Sequence, residues 1–94
     1  MDPDQVVQRN ERAIFRELSE NEGSVLLHLD SGAYHGLNPI GTLIWNMIGD
    51  GATLHDLIEG VRSQLTDPPA SLRSDVEAFI DDLAGRDLLT VSGT

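Results

Sequence analysis

The run His28-Leu29-Asp30-Ser31-Gly32-Ala33-Tyr34-His35-Gly36-Leu37-Asn38-Pro39, leading into Ile40-Gly41-Thr42-Leu43-Ile44-Trp45, constrains this chain more than any other segment. Before it, Ser24 to Leu29 alternates, with Val25, Leu27 and Leu29 on one face and Leu26 and His28 on the other, the period of a strand. Asp30-Ser31-Gly32 supplies turn chemistry, the glycine being free to take a positive φ. Ala33 to Leu37 then pairs back antiparallel. Asn38 is a good N-cap, and Pro39 suits the first helical position, where its missing N–H has no partner to lose. Nothing in the run is catalytic. What it builds is a sheet with an accessible edge, and a peptide can bind there as an added strand.

The flanking sequence completes a small α+β domain. Residues 1–11 read as a flexible N-terminal arm and 12–91 as the domain. Ala13-Ile14-Phe15-Arg16-Glu17-Leu18 fits a short first strand, although Arg12 and Arg16 fit a helical turn equally well. Ser19-Glu20-Asn21-Glu22-Gly23 is a polar, glycine-terminated connection. Ile40, Leu43, Ile44, Met47 and Ile48 recur at helical spacing until Gly49 or Gly51. Thr53 caps a second helix whose buried stripe is Leu54, Leu57, Ile58, Val61 and Leu65, with Asp56 near its N-terminus. After Asp67-Pro68-Pro69 a third helix, about Pro69 to Arg86, turns Leu72, Val76, Phe79, Ile80 and Leu83 inward, and Leu88 and Leu89 return to the core. A three-stranded antiparallel sheet followed by three helices suggests a winged helix-turn-helix.

Composition narrows the function. With 94 residues the chain supports a modest core but no deep enzyme cleft. It has no cysteine, which removes disulfides, thiolate metal sites and thiol nucleophiles. No apolar run approaches the roughly 20 residues of a membrane span, and the acidic start Met1-Asp2-Pro3-Asp4 is unlike a signal peptide, so a cytoplasmic protein is expected. The net charge is −10, and the cations are six arginines with no lysine. Such a chain repels nucleic acid, which is held by cations that displace counterions. The acid excess serves solubility or a basic partner.

No residue set supports catalysis or a cofactor. His28 and His35 would be neighbours across the hairpin on a solvated face, but no third ligand stands at a recognisable spacing, so no metal is expected. Ser31 and Ser71 lack a nucleophile elbow. The glycines form no phosphate loop. Trp45, one residue off the main stripe, fits core or boundary packing. Tyr34, alternating with Gly36, either covers the core or faces a bound segment.

The segment Val25 to Gly41, followed by Ile44-Trp45, resembles the PqqD-like proteins, the precursor-peptide recognition elements of ribosomally made, modified peptides. The likeness continues through Gly51-Ala52-Thr53-Leu54-His55-Asp56-Leu57 and Val76-Glu77-Ala78-Phe79-Ile80-Asp81-Asp82-Leu83 to Asp87-Leu88-Leu89. The free-standing length and the Leu-Asn-Pro-x-Gly segment look most like the B1 proteins of lasso-peptide clusters. The resemblance implies a winged helix-turn-helix that has lost DNA binding and captures a leader peptide as a strand beside its third strand, against its third helix. It implies as partners the precursor leader, a B2-type leader peptidase and the cyclase that closes the ring, and leader anchors in a Tyr-x-x-Pro pattern.

On this reading the peptide-binding residues are Ala33, Tyr34, His35, Gly36 and Leu37 of the strand. Leu72, Val76, Phe79 and Leu83 form the helix stripe nearest the sheet, with Asp75 and Asp82 at the rim. The main chain of the edge accepts any sequence, and specificity comes from pockets between strand and helix that suit an apolar motif flanked by cations. Phe79 is large enough to touch both core and ligand. The alternatives are a PqqD-type peptide chaperone for pyrroloquinoline quinone or another modified peptide, and a winged-helix transcription regulator. Against the regulator, the second and third helices carry Arg62, Arg73 and Arg86 beside Asp56, Glu59, Asp67, Asp75, Glu77, Asp81 and Asp82.

Overall fold

The hairpin expected around Asp30-Ser31-Gly32 is present in the computed structural model, which describes residues 2–18 and 22–93. In chain order the elements are β1 (Val6–Arg9), β2 (Ala13–Glu17), β3 (Ser24–His28), β4 (Tyr34–Leu37), α1 (Pro39–Ile48), β5 (Ala52–Thr53), α2 (Leu54–Gln64), α3 (Leu72–Gly85) and β6 (Leu89–Ser92). The strands β2-β3-β4 form one antiparallel sheet, with Leu26 opposite Phe15 on one side and His35 on the other. At the β3–β4 turn Gly32 takes φ +73°, and its N–H donates to the His28 carbonyl at 2.8 Å. Of the connection read over residues 19–23, residues 19–21 lie outside the described residues.

The N-terminal arm is corrected. Val6–Arg9 is the middle strand of a second sheet, β5-β1-β6, pairing Val7 with Ala52 and with Val91. Two β-branched residues favour an extended chain, and Val7 is completely buried in the core. The arm looked polar because its partner strand lies at the far end of the chain. Non-local pairing of this kind leaves no local periodicity to read.

The helices begin where their caps place them. Asn38 Oδ1 accepts from the Gly41 N–H at 2.7 Å, and Thr53 Oγ1 accepts from the Asp56 N–H at 3.1 Å. Helix α3 starts at Leu72, later than expected, and ends in a Schellman turn in which the Leu88 N–H reaches the Leu83 carbonyl at 2.9 Å. The left-handed residue there is Asp87, φ 62°, where glycine is usual. Its carbonyl accepts from Asn10 Nδ2 at 2.6 Å, and its carboxylate meets His28 Nε2 at 3.1 Å. These two contacts tie β3 and the β1–β2 connection to the end of α3.

Two faces differ from the sequence reading. On α1 the buried stripe is Gly41, Thr42, Ile44, Trp45 and Ile48, rotated toward Trp45, while Ile40 is exposed. On β3 the core face is Ser24, Leu26 and His28, and the more apolar set Val25, Leu27 and Leu29 faces out. Ser24 is accommodated because its hydroxyl pairs with that of Thr42 at 2.8 Å, and Thr42 in turn donates to the Asn38 carbonyl.

Candidate peptide-binding site

Strand β4 lies at an edge of its sheet, and the ladder decides which of its groups are free. The His28 N–H donates to the Ala33 carbonyl at 3.0 Å, and His35 stands opposite Leu26 and Leu37 opposite Ser24. Residues of an antiparallel strand alternate between bonding their neighbour and pointing away from it. Ala33, His35 and Leu37 therefore bond to β3. Tyr34 and Gly36 turn their N–H and C=O groups to the side where no described strand pairs. Gly36 has no atom near the place of a side chain, so the sheet face beside this edge is open as well.

Helix α3 meets this strand at His35. His35 Nε2 reaches Asp82 Oδ2 at 3.6 Å, and Arg86 Nε holds the other oxygen of Asp82 at 3.2 Å. On one side of this bridge lies an apolar cavity of about 400 Å³ walled by Ile40, Gly41, Ile44, Leu72, Val76 and Phe79, with Asp75 also on its lining. On the other a smaller cavity of about 230 Å³ is lined by Ser31, Ala33, Tyr34, His35, Arg86 and Leu88. The smaller cavity takes in the strand at Ala33, Tyr34 and His35, whereas the apolar one is walled by α1, α3 and the α2–α3 connection, and the two share no lining residue.

The expected residues divide among these places. Leu72, Asp75, Val76 and Phe79 line the apolar cavity, and Ala33, Tyr34 and His35 line the smaller one. Phe79 is half-buried, packed on the core as well as on the cavity. Leu37 and Leu83 lie in the core, and Leu83, completely buried, lines neither cavity. Tyr34 does not cover the core. It is 73% exposed and projects on the outer sheet face beside Ile14 and Leu27. Ile40, Gly41 and Ile44 were missed as cavity residues, as were Leu65 and Pro69 of the α2–α3 connection. Ile40 carried a signal, an isoleucine in the first turn beside Pro39 and off the Trp45 side.

His28 and His35 face inward rather than into solvent, while His55 is exposed. His28 Nδ1 accepts from the Asp30 N–H at 3.1 Å, which leaves its Nε2–H to donate to Asp87. Among the described residues no group of three or more His, Asp or Glu could hold a metal. Arg62 of α2, Arg73 of α3 and Arg86 at the end of α3 are engaged by carboxylates, Glu59, Glu77 and Asp82 respectively. The Arg73 guanidinium holds the Glu77 carboxyl below the usual carboxylate range. With cations neutralised and acids in excess, this helix pair repels phosphate. A gel-shift titration with duplex DNA at low salt should show no complex, and a salt-sensitive shift would contradict this assignment.

Comparison with known proteins gives the class. Residues 23–89, about seven-tenths of the chain, match the family described as coenzyme PQQ synthesis protein D (PqqD). The chain belongs to the PqqD family. Its fold is shared with the solved structure of TbiB1 in complex with the TbiA(beta) leader peptide, at a TM-score of 0.78 and 21% identity, over 93% of this chain and 99% of that one. No curated protein matches it. No helix among the described residues is long and apolar enough to cross a membrane.

Proposed function

We propose that this chain is a non-catalytic adaptor that binds the leader region of a ribosomally synthesised precursor peptide by strand addition to β4. On this reading it is a cytoplasmic, winged helix-turn-helix scaffold of lasso-peptide biosynthesis that delivers the precursor to a leader peptidase and a cyclase. The observation that carries the proposal is the unpaired edge of Tyr34 and Gly36, with Tyr34 on the smaller cavity and the apolar cavity of α3 beyond the His35–Asp82 contact, which a bound strand would join into one groove. TbiB1, which shares the fold, was solved with a leader peptide bound. Delivery draws support from the outer face of the sheet, where Ile14, Val25, Leu27 and Tyr34 surround Arg16. An apolar patch of this kind suits docking of a second protein. The family match also favours a second reading, a peptide carrier in pyrroloquinoline quinone synthesis, which would use the same groove on a different leader.

Calorimetric titration with synthetic leaders separates these readings. The leader of a lasso precursor encoded beside this protein should bind at about micromolar Kd or tighter, as strand addition with buried anchors allows. No heat with that leader, and binding of a pyrroloquinoline-quinone precursor instead, would move the assignment to the second reading.

A rim charge affects the encounter more than the bound state. Asp75 is exposed at the cavity mouth and accepts from the Ser71 hydroxyl at 3.0 Å. Asp75→Lys should slow association with a leader carrying cations and flatten the salt dependence of the on-rate. It sits in the first turn of α3, so the loss of stability should stay within about 1 kcal/mol. Asp82→Lys is less clean, because Asp82 holds His35 and Arg86. Stopped-flow rates at low salt that match wild type for both variants would reduce the acidic rim to a solubility feature.

A further inference from the structure

We infer that Gly41 sets the depth of the apolar cavity by seating the ring of Phe79, and so determines which anchor side chain the groove accepts. The inference rests on the groove being the leader site. Gly41 is buried in the first turn of α1 and is not among the glycines with positive φ. The backbone therefore does not require glycine, and alanine would be the better helix former. What requires it is space. A Cβ placed on Gly41 would lie 2.9 Å from Phe79 Cε1, 3.3 Å from Asn38 Oδ1 and 3.4 Å from Leu37 Cβ. Carbon pairs rest at about 3.5–4.0 Å, so the edge of the Phe79 ring already occupies the room of a methyl group.

The three neighbours do not yield equally. Asn38 is fixed by its cap bond to the Gly41 N–H, and Leu37 is buried and paired to Ser24. Phe79 is only half-buried and has the cavity beside it. A methyl group at position 41 would therefore displace the ring into the space an anchor needs. The remaining lining is mainly aliphatic, from Ile40, Ile44, Leu72 and Val76, with one carboxylate at Asp75. Those walls suit one apolar side chain, and a tyrosine derivative serves as a soluble probe of the room they leave.

The test uses the full chain and N-acetyl-tyrosinamide as probe, followed by NMR of the Ile40, Ile44 and Val76 methyl groups. Wild type should show saturable shifts at these methyls. Gly41→Ala should weaken the probe by about tenfold or more, the scale of one methylene in a tight pocket. Gly41→Ala/Phe79→Leu should regain most of that loss, because the shorter side chain restores the room. Phe79→Leu alone should take the bulkier N-acetyl-tryptophanamide about tenfold more tightly than wild type does. If Gly41→Ala does not fold, the double variant decides the matter: its methyl group should cancel the gain for N-acetyl-tryptophanamide that Phe79→Leu alone shows, and an undiminished gain would overturn the role of Gly41. Wild-type methyls that do not move, Gly41→Ala binding like wild type, or a double variant that regains nothing would each overturn the inference. The probe reads the cavity without strand addition. Failure of both leaders to bind in calorimetry therefore sinks the groove reading, whereas a cavity indifferent to position 41 sinks only the role of Gly41.

Discussion

Replacing Gly36 by proline is expected to weaken leader capture about a hundredfold while the domain stays folded. Gly36 belongs to a pair with Val25 in which neither residue bonds the other, so its N–H is not part of the β3–β4 ladder. Proline removes that N–H and fixes φ, and proline in a sheet is tolerated at an edge where the lost donor faces outward. The free protein should keep its circular dichroism. An incoming leader strand, however, would find one donor missing and a ring in the plane of approach. With a penalty on the order of 3 kcal/mol, affinity should fall by about a hundredfold. His35→Ala is the control. It removes the 3.6 Å contact with Asp82 but leaves every main-chain group in place, and its loss of affinity should be several times smaller. Equal affinities for the two variants would contradict strand addition at β4.

Truncating Trp45 to alanine should have the largest effect on stability. The side chain is 1% exposed and stacks on Phe15, with ring centroids 6.1 Å apart and planes 13° from parallel. The Arg9 guanidinium lies 5.1 Å above the indole, and its Nη2 and Nε donate to the Trp45 carbonyl at 2.6 and 3.2 Å. The charge-assisted bond to the Trp45 carbonyl is a main-chain one that truncation leaves in place, while the side chain joins β1, β2 and α1 through apolar contact and cation–π attraction. Its loss should remove on the order of 3–5 kcal/mol, a large share of the roughly 5–15 kcal/mol that holds a small domain together. Thermal denaturation should find Trp45→Ala largely unfolded at 37 °C or melting far below wild type. Trp45→Phe, which keeps a ring over Phe15, should lie between. A melting temperature for Trp45→Ala close to wild type would mean that β1 is not anchored through this residue.

Local chemistry made the hairpin and the helix starts legible. A glycine turn, an Asn-Pro cap and a threonine cap act within a few residues of themselves, and all three appear where the sequence placed them. The second sheet was hidden for the opposite reason. Val6–Arg9 pairs with Leu89–Ser92; the first shows no alternation, and the short alternation of Leu89-Thr90-Val91-Ser92 does not say which strand it joins. The faces of β3 misled in a different way. Its richer apolar set, Val25, Leu27 and Leu29, lies outside, and the core side carries Ser24 and His28, each with a polar partner that only the tertiary fold supplies.

The candidate site divides along the same line. Helical spacing brought Leu72, Val76 and Phe79 to one face of α3, and it equally nominated Leu83, which the core takes completely. Spacing along one helix identifies a stripe but not which turns of it meet a cavity. Gly41 lay outside the reading because a missing side chain has no periodic signature. Its importance appears only once the Phe79 ring is seen in the room a methyl group would fill.

Amide hydrogen exchange with and without the cognate leader tests strand addition most directly. In the free protein the Tyr34 and Gly36 amides face the open edge and should exchange fast, while those of His35 and Leu37 are bonded to β3 and should exchange slowly. Leader binding should slow exchange at Tyr34 and Gly36 and leave His35 and Leu37 as they were. Protection that appears instead on β2, the other edge of the same sheet, or a bound leader that leaves Tyr34 and Gly36 exchanging freely, would contradict capture at β4.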